Sequence, residues 1–572
     1  MIQPKYVTLT GLFADRVFRI PSYQRFYSWQ EKQREDLFGD IRTLSNVLGD
    51  GHHFMATIVC HDTGQKASVG STDYHVFEVV DGQQRITTLI ILLRAIAKKL
   101  TAGDDKKEVE ELLVKRDGNL LLLQTNNANQ ALFNEYLRTG GIPGPDEVKT
   151  HADRNLQGGI IDSEKFVENW VGTGKGFLDL LRLIKNRLGF VVYDTEDKRS
   201  VYTVFEVLNS RGLDVDWLDK CKSVLMGRAF ETATTEPAQA AAIQELEAKW
   251  GNIYQRLAMF PVPGQEVLRV TASIRCAIDA GKPLSSEVSL AAFKNLSDSP
   301  ARTQEVTGWL HKTADALVRL EEQRHLGPVV NVLQARVLAV AIMLADQLSA
   351  DEKLHCLDQW ERVTFRVFGI LRYDARTKVG DYVRLARKIG RQEAGAKTSA
   401  EILAKLKELG AEFPIDSTIQ EGLAKKNCYE GFEAESRYLL WRYEEHLAQK
   451  AGAEVNKELR EIIWTARSAA ETIEHILPQN PEAGGPWDGK LNAGEILDQH
   501  VHRIGNLLLL PQKLNSAATR NGFADKKVAF ARSEGLRIVK EVTDKDDWTQ
   551  IEIEERENRI LEWAKTAWGD LQ

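Results

Sequence analysis

A carboxylate and a histidine stand side by side in TIEHILPQ (Thr472 to Gln479), as Glu474 and His475. Further along, HRIGNLLLLPQKLN (His502 to Asn515) brings Asn506, a run of leucines and Asn515. An imidazole can take a proton from water because its pKa lies near neutral pH. One carboxylate and one amide oxygen can hold a Mg²⁺ that keeps several waters and steadies a departing oxygen. These are the ingredients of phosphodiester hydrolysis. His500 and His502 form an H-x-H pair just ahead of the leucines. A metal role is open to them, but loop histidines more often pack or hydrogen-bond.

A second set lies near the other end. IPSYQRFYSW (Ile20 to Trp29) crowds Tyr23, Gln24, Arg25, Tyr27 and Trp29 together, and DGQQRITTL (Asp81 to Leu89) follows an apolar run. Gly82 allows backbone to approach a ligand, a helix starting here would present its free amides, and Arg85 adds a fork suited to phosphate. Asp81 could hold a metal or position a water. The plainer alternative is a tight strand-to-helix turn with surface Gln and Arg. Tyr23, Tyr27 and Trp29 could line a pocket, although clustered aromatics are more often core. GTGKG (Gly172 to Gly176) is a decoy: Asn169 stands where a phosphate-binding loop needs glycine, and Gly176 where it needs Ser or Thr.

The elements that would position these residues are readable in outline. Thr472–Gln479 reads as a strand stopped by Pro478, and Leu507–Leu510 as a second strand after Gly505-Asn506. Asn515–Ser533 is an amphipathic helical pattern with Phe523 and Phe530 on one face and Asn515-Ser516 as its N-cap. Strand, long loop, strand and helix give a ββα unit. Neighbouring strand residues face opposite ways, so Glu474 and His475 could share one site only through a twist or bulge. At the other end, HVFEVV (His75 to Val80) predicts a strand and Asp81-Gly82 a turn. Arg85–Leu100 predicts a helix with Lys98 and Lys99 at its C-terminal end, where cations suit the dipole. A loop is expected over Gly140–Thr150, a strand over Leu188–Asp194 and a helix from Ser200. Ala238–Leu447 reads as almost wholly helical, broken at Pro261, Pro263, Pro283, Pro300 and Pro328, with a polar surface connection over Gly390–Thr398.

Composition bounds the function. At 572 residues the chain exceeds one core. Its 43% hydrophobic and 27% charged residues are ordinary for a globular protein. No apolar run approaches the roughly 20 residues that span a bilayer, so no membrane partner is expected. The opening MIQPKYVTLT lacks a signal pattern, and five scattered cysteines fit a reducing compartment, so a cytoplasmic location is expected. A net charge of −7 does not suggest nucleic acid, but two stretches are basic. Arg503–Lys540 holds eight Lys/Arg against two acids, and Glu361–Lys388 eight against three. Such runs are usually solvated helix faces.

E-H-I-x-P, H-R-I-G-N-L-x-L-L, N-S, N-x-F and K-K, over about residues 430–572, resemble the HNH nuclease domain of GmrSD-type modification-dependent restriction enzymes. IP-x-YQR-x-Y-x-W, DGQQR and FEVLNSRGLDVDWLDKCK (Phe205 to Lys222) resemble the N-terminal domain of the same family, including its BREX-associated and phosphorothioate-sensing members. The resemblance implies a predominantly helical α+β chain. It would comprise a ParB-like α/β nucleotide-binding sensor over 1–235, a helical middle over 236–430 and a ββα-metal nuclease over 431–572. It implies His475 as general base, Asn506 as its orienter, and Glu474 and Asn515 as ligands of Mg²⁺ or Mn²⁺. For GTP or ATP it implies Asp81, Gln83, Gln84 and Arg85, with Gln24 and Arg25 beside them and Asn209 and Arg211 as further candidates. Tyr23, Tyr27 and Trp29 are the candidates for sensing a modification. The expected partner is double-stranded DNA, modified as in phage, and a homodimer is compatible with the pattern. Two rivals stand beside this reading: a DNA- or nucleotide-binding regulator with an inactive nuclease domain, and an RNase effector.

Overall fold

In a computed structural model the chain folds into two compact units. Unit 1 comprises residues 1–272 and 284–318, and unit 2 comprises 273–283 and 319–572. The structure describes all residues except 1–3, 48–50, 116–119, 126–129, 212–215, 417–418, 420–422, 424–426, 467, 483, 488–494, 519–521, 534 and 570–572. For 173, 206, 208–211, 495–497 and 516–518 it describes the backbone alone. Residues 236–430, expected as a helical middle, are divided between the two units.

Unit 1 is built on a mixed sheet of strands β1 (Lys5–Thr8), β2 (Arg16–Ile20), β3 (His53–Val69), β4 (Thr72–Asp81), β5 (Leu123–Thr125) and β6 (Leu188–Thr195). Their order is β1-β6-β3-β4-β2-β5. Among the described residues β1–β6 and the β3–β4 hairpin pair antiparallel, while β3–β6, β2–β4 and β2–β5 run parallel. Helix α1 (Gln83–Lys99) springs directly from the end of β4. It is apolar nearly all round, and from Ile86 to Ala97 every residue is buried among the sheet and the helices His151–Trp170 and Phe177–Arg187. A helix without a polar face belongs at the centre of a core. The strand and helix expected over 75–100 are thus present, as is the strand over 188–194.

The turn between β4 and α1 depends on Gly82. Its φ of +89° is left-handed, a conformation that costs other residues a clash with their own Cβ. The space is closed as well, since an added Cβ would lie 2.3 Å from Ile58 Cδ1 and 3.3 Å from the Thr57 carbonyl oxygen.

Unit 2 is mostly helical around a short antiparallel pair, β7 (Ile473–His475) and β8 (Leu507–Leu509), with His475 opposite Leu507 and Glu474 opposite Leu508. The loop before β8 is fixed from beneath by Arg556, whose Nη1 donates to the carbonyls of Gly505 and Leu507, both at 2.7 Å. Arg556 is completely enclosed within helix α2 (Gln550–Trp568). After β8 the chain forms two helices, Gln512–Ala518 and Phe523–Phe530, where one was expected. Asn515 therefore lies inside the first helix and caps neither. Pro300 likewise opens a helix, Pro300–Glu322, instead of breaking one, because a first-turn N–H would be unpaired anyway.

The basic run 361–388 is largely spent internally. Arg366 is buried and donates to the carbonyls of Phe413 and Gly569; Lys378 pairs with Asp381 and Glu412, Arg384 with Asp381, and Arg387 with Asp279. All five cysteines are buried and unpaired, and no described helix is long and apolar enough to cross a membrane.

Gly82→Ala combines a strained φ with a steric clash and is expected to cost about 1–3 kcal/mol. Gly64→Ala, at a φ of +67° but with open space, carries only the conformational part. Thermal melts of the two full-length variants separate the effects; equal melts would remove the steric account.

Candidate functional site

In unit 1, side-chain amides bring the first two motifs together. Gln83 Nε2 donates to the Arg25 carbonyl (3.2 Å) and Gln84 Nε2 to the Phe26 carbonyl (3.0 Å). Gln84 Oε1 accepts from the Ser28 N–H (2.9 Å), and Gln24 Nε2 donates to the Val80 carbonyl (2.9 Å). Gln24, Gln83 and Gln84 are buried, and their hydrogen bonds lash residues 24–28 to the β4–α1 junction.

The third motif contributes helix Trp217–Thr232. Lys222 is almost wholly enclosed; its ammonium donates to Gln24 Oε1 (2.8 Å) and the Tyr23 carbonyl (3.3 Å) and lies 3.4 Å from Asp219 Oδ1. Arg25 Nε lies 3.1 Å from Asp219 Oδ2 and its Nη1 3.9 Å from Asp216 Oδ2, while Tyr254 donates to Asp219 Oδ1 at 2.5 Å. Burial would raise Asp219, but Arg25 and then Lys222 outweigh it and hold the carboxyl below its ordinary range. Asp216 goes the other way, raised by burial and by Asp219. Burial also raises Asp81, against the pull of the Gly82 N–H that it accepts at 2.8 Å and of Arg85. Arg85 is exposed, its guanidinium 5.8 Å above the Trp29 ring, and among the described residues it forms no salt bridge. Its exposed guanidinium is accessible to an anion.

Asp219, Lys222 and Tyr254 were not singled out from sequence. The available signal was DWLDKCK, which puts charges on a helix face that is otherwise apolar. The side chains of Asn209 and Arg211 lie outside the described residues. Tyr23 and Tyr27 are buried, and the Tyr27 hydroxyl bonds Thr88 Oγ1 at 2.8 Å; Trp29 is only partly buried. In the decoy loop, the Lys175 ammonium donates to the Ser45 carbonyl.

In unit 2, β7 presents His475 beside His502. His475 Nε2 lies 3.1 Å from His502 Nδ1, and Gln479 Nε2 lies 3.0 Å from His475 Nδ1. Tyr429 meets His475 edge-on (4.6 Å between centroids) and stacks parallel on His502 (5.7 Å, 3°). Burial, then His502 and Lys526, lower the His475 pKa to about 3, so the ring is neutral at pH 7. His500 instead pairs with Glu554 at 3.2 Å. The Asn506 side chain makes no hydrogen bond to the His475 ring. It is fully buried, accepts from the N–H of Leu477 (2.8 Å) and from Trp548 Nε1 (3.1 Å), and donates to the carbonyls of Leu477 and Val501. Asn506 therefore fixes the backbone two residues beyond the histidine.

Glu474 is engaged by a lysine. Its Oε1 lies 2.6 Å from Lys526 Nζ, which also donates to the His475 carbonyl at 2.7 Å. Both side chains are buried; burial raises the carboxyl and lowers the ammonium, and each opposes that shift in the other. The Asn515 amide donates to the main-chain carbonyls of Glu471 (2.9 Å), Ala470 and Ile473 (both 3.3 Å). Among the described residues no three His, Cys, Asp or Glu side chains converge as a metal cage. Lys526, Gln479 and Tyr429 had no role in the sequence reading, although K-K was part of the pattern.

Residues 9–226 match the GmrSD restriction endonuclease N-terminal domain, and residues 413–563 the GmrSD restriction endonuclease C-terminal domain. The two matches take in more than half of the chain, which belongs to the GmrSD family. No curated protein matches it.

Removing one partner of a buried ion pair leaves an uncompensated charge, at a cost of about 3–5 kcal/mol. Glu474→Gln should therefore depress the melting temperature sharply, and Glu474→Leu combined with Lys526→Met should recover most of it. A Glu474→Gln melt like that of the parent would deny the pair its structural part.

Proposed function

We propose that unit 2 hydrolyses DNA phosphodiesters by an HNH-type mechanism with His475 as general base, and that unit 1 is a ParB-like sensor whose bound GTP or ATP regulates cutting. The neutral His475 imidazole, held at both ring nitrogens, carries the reading. A neutral ring at pH 7 has a lone pair ready for the proton of an attacking water. Asn506 fixes the strand end that bears it, and buried Arg556 fixes the turn that bears Asn506.

A divalent ion, Mg²⁺ or Mn²⁺, would supply stabilisation of the departing 3′ oxygen. Glu474 and Asn515, the family's pattern for it, do not form a ready cage in the arrangement described: Lys526 holds the carboxylate and the main chain holds the amide. An ion there would have to displace the ammonium.

Support for the nucleotide reading is the gathering of three distant motifs at the N-terminal end of α1, with exposed Arg85 beside Trp29. Helix N-terminal amides and an unpaired guanidinium are complementary to phosphate. A modified base or backbone of phage DNA is the proposed target, and partly buried Trp29 is the aromatic best placed to meet it. Restraint on host DNA then follows if nucleotide favours one of two states of the enzyme.

His475→Ala is expected to lower cleavage of modified phage DNA by about 10²- to 10⁴-fold while nucleotide binding is unchanged. Full cleavage by that variant would end the assignment, and cleavage of RNA alone would favour the RNase reading. A chelator tests the need for metal. Arg85→Ala is expected to weaken nucleotide binding by about tenfold or more, the loss of one charge-assisted contact. Unchanged binding would move the site elsewhere.

A further inference from the structure

We infer that His502 is a positioning residue that sets the tautomer of His475 and leaves His475 Nδ1 as the nitrogen that takes the proton. This rests on the reading of His475 as base. The Gln479 amide nitrogen, 3.0 Å from His475 Nδ1, can only donate, so Nδ1 carries the lone pair. The ring hydrogen is then on Nε2, which donates it to His502 Nδ1 at 3.1 Å. His502 carries its own hydrogen on Nε2, and that nitrogen lies 3.7 Å from Glu430 Oε1. The two hydrogen bonds that join Gln479, His475 and His502 have one polarity.

The second histidine is braced for this part. Tyr429 lies parallel to His502 and edge-on to His475, so neither ring can swing without losing contact. Residues 427–430 are themselves docked on His502: Asn427 and His502 form a parallel bridge, and the Cys428 N–H donates to the His502 carbonyl at 3.1 Å. Asn427 Oδ1 accepts from the N–H groups of Tyr429 and Glu430. Arg372 donates to the Cys428 carbonyl at 3.0 Å while its guanidinium lies 3.5 Å from the Phe432 ring centroid.

A water that displaces the Gln479 amide presents the same polarity, an O–H donated to Nδ1. As its oxygen bonds to phosphorus, the P–O3′ bond breaks and the 3′ oxygen leaves with the bonding electron pair to be protonated from solvent, while the water's O–H bond breaks and Nδ1–H forms. The imidazolium so produced keeps its Nε2–H bond to the neutral nitrogen of His502, which steadies the new charge.

Cleavage by full-length His502→Phe and His502→Asn tests the assignment, with a thermal melt of each. The phenyl ring keeps the stacking on Tyr429 but has no acceptor, and kcat should fall about 10- to 100-fold with KM for DNA little changed. The Asn oxygen stands where Nδ1 stood and should restore most of the rate. A Phe variant as fast as the parent, or an Asn variant as slow as Phe while equally folded, would overturn the role of His502 even with His475→Ala inactive. An active His475→Ala variant would instead remove the reading on which it rests.

Discussion

An amide enclosed in protein must find partners for its two N–H donors and its oxygen, because an unmet polar group costs more than a met one gains. Asn506 meets that demand wholly within unit 2, joining Leu477, Val501 and Trp548. Those bonds leave the chain after His475 a single path. They also tie the start of β8 to the end of β7, so the three-residue pairing of these strands does not have to hold by itself. The placement of His475 against His502 follows from that constraint.

Unit 1 uses a related device. The buried amides of Gln24, Gln83 and Gln84 bond backbone groups from another motif, Gln24 Oε1 also accepts from Lys222, and Gln83 Oε1 is left without a hydrogen-bond partner among the described residues. A glutamine pair at the first turn of a helix could have faced solvent, and by type alone that was the plainer expectation. Burial turns the pair into a clasp. Arg85, next in sequence, stays outside the clasp, so adjacent residues divide between holding the junction and facing a ligand.

The legible parts of the sequence were those with short-range cause. The apolar strand before Asp81-Gly82 and the apolar helix after it stand as read, because periodicity and a left-handed glycine are local properties. His475 and the glutamines were legible by type and spacing. What was hidden depends on pairing across distance. Lys526 neutralising Glu474, Tyr429 stacking on His502, and Lys222 reaching Gln24 leave no periodic trace. Asn515 looked like a helix start because an asparagine followed by serine favours a cap, yet the helix begins at Gln512, after Pro511, and encloses it. The division of 236–430 between two units was equally invisible, since helices read alike whichever core they join.

The hydrogen bond from Lys222 to Gln24 joins residues 198 positions apart. During synthesis the early motifs emerge long before the helix that carries Lys222. Contacts of such separation form late, after the loop between them has closed. The YQR and DGQQR segments can clasp on a nascent chain, but the cluster around Asp219 has to wait for some two hundred residues to leave the ribosome. An unfinished chain therefore lacks the complete Asp219 cluster, and His475, encoded later still, emerges only after that cluster can close.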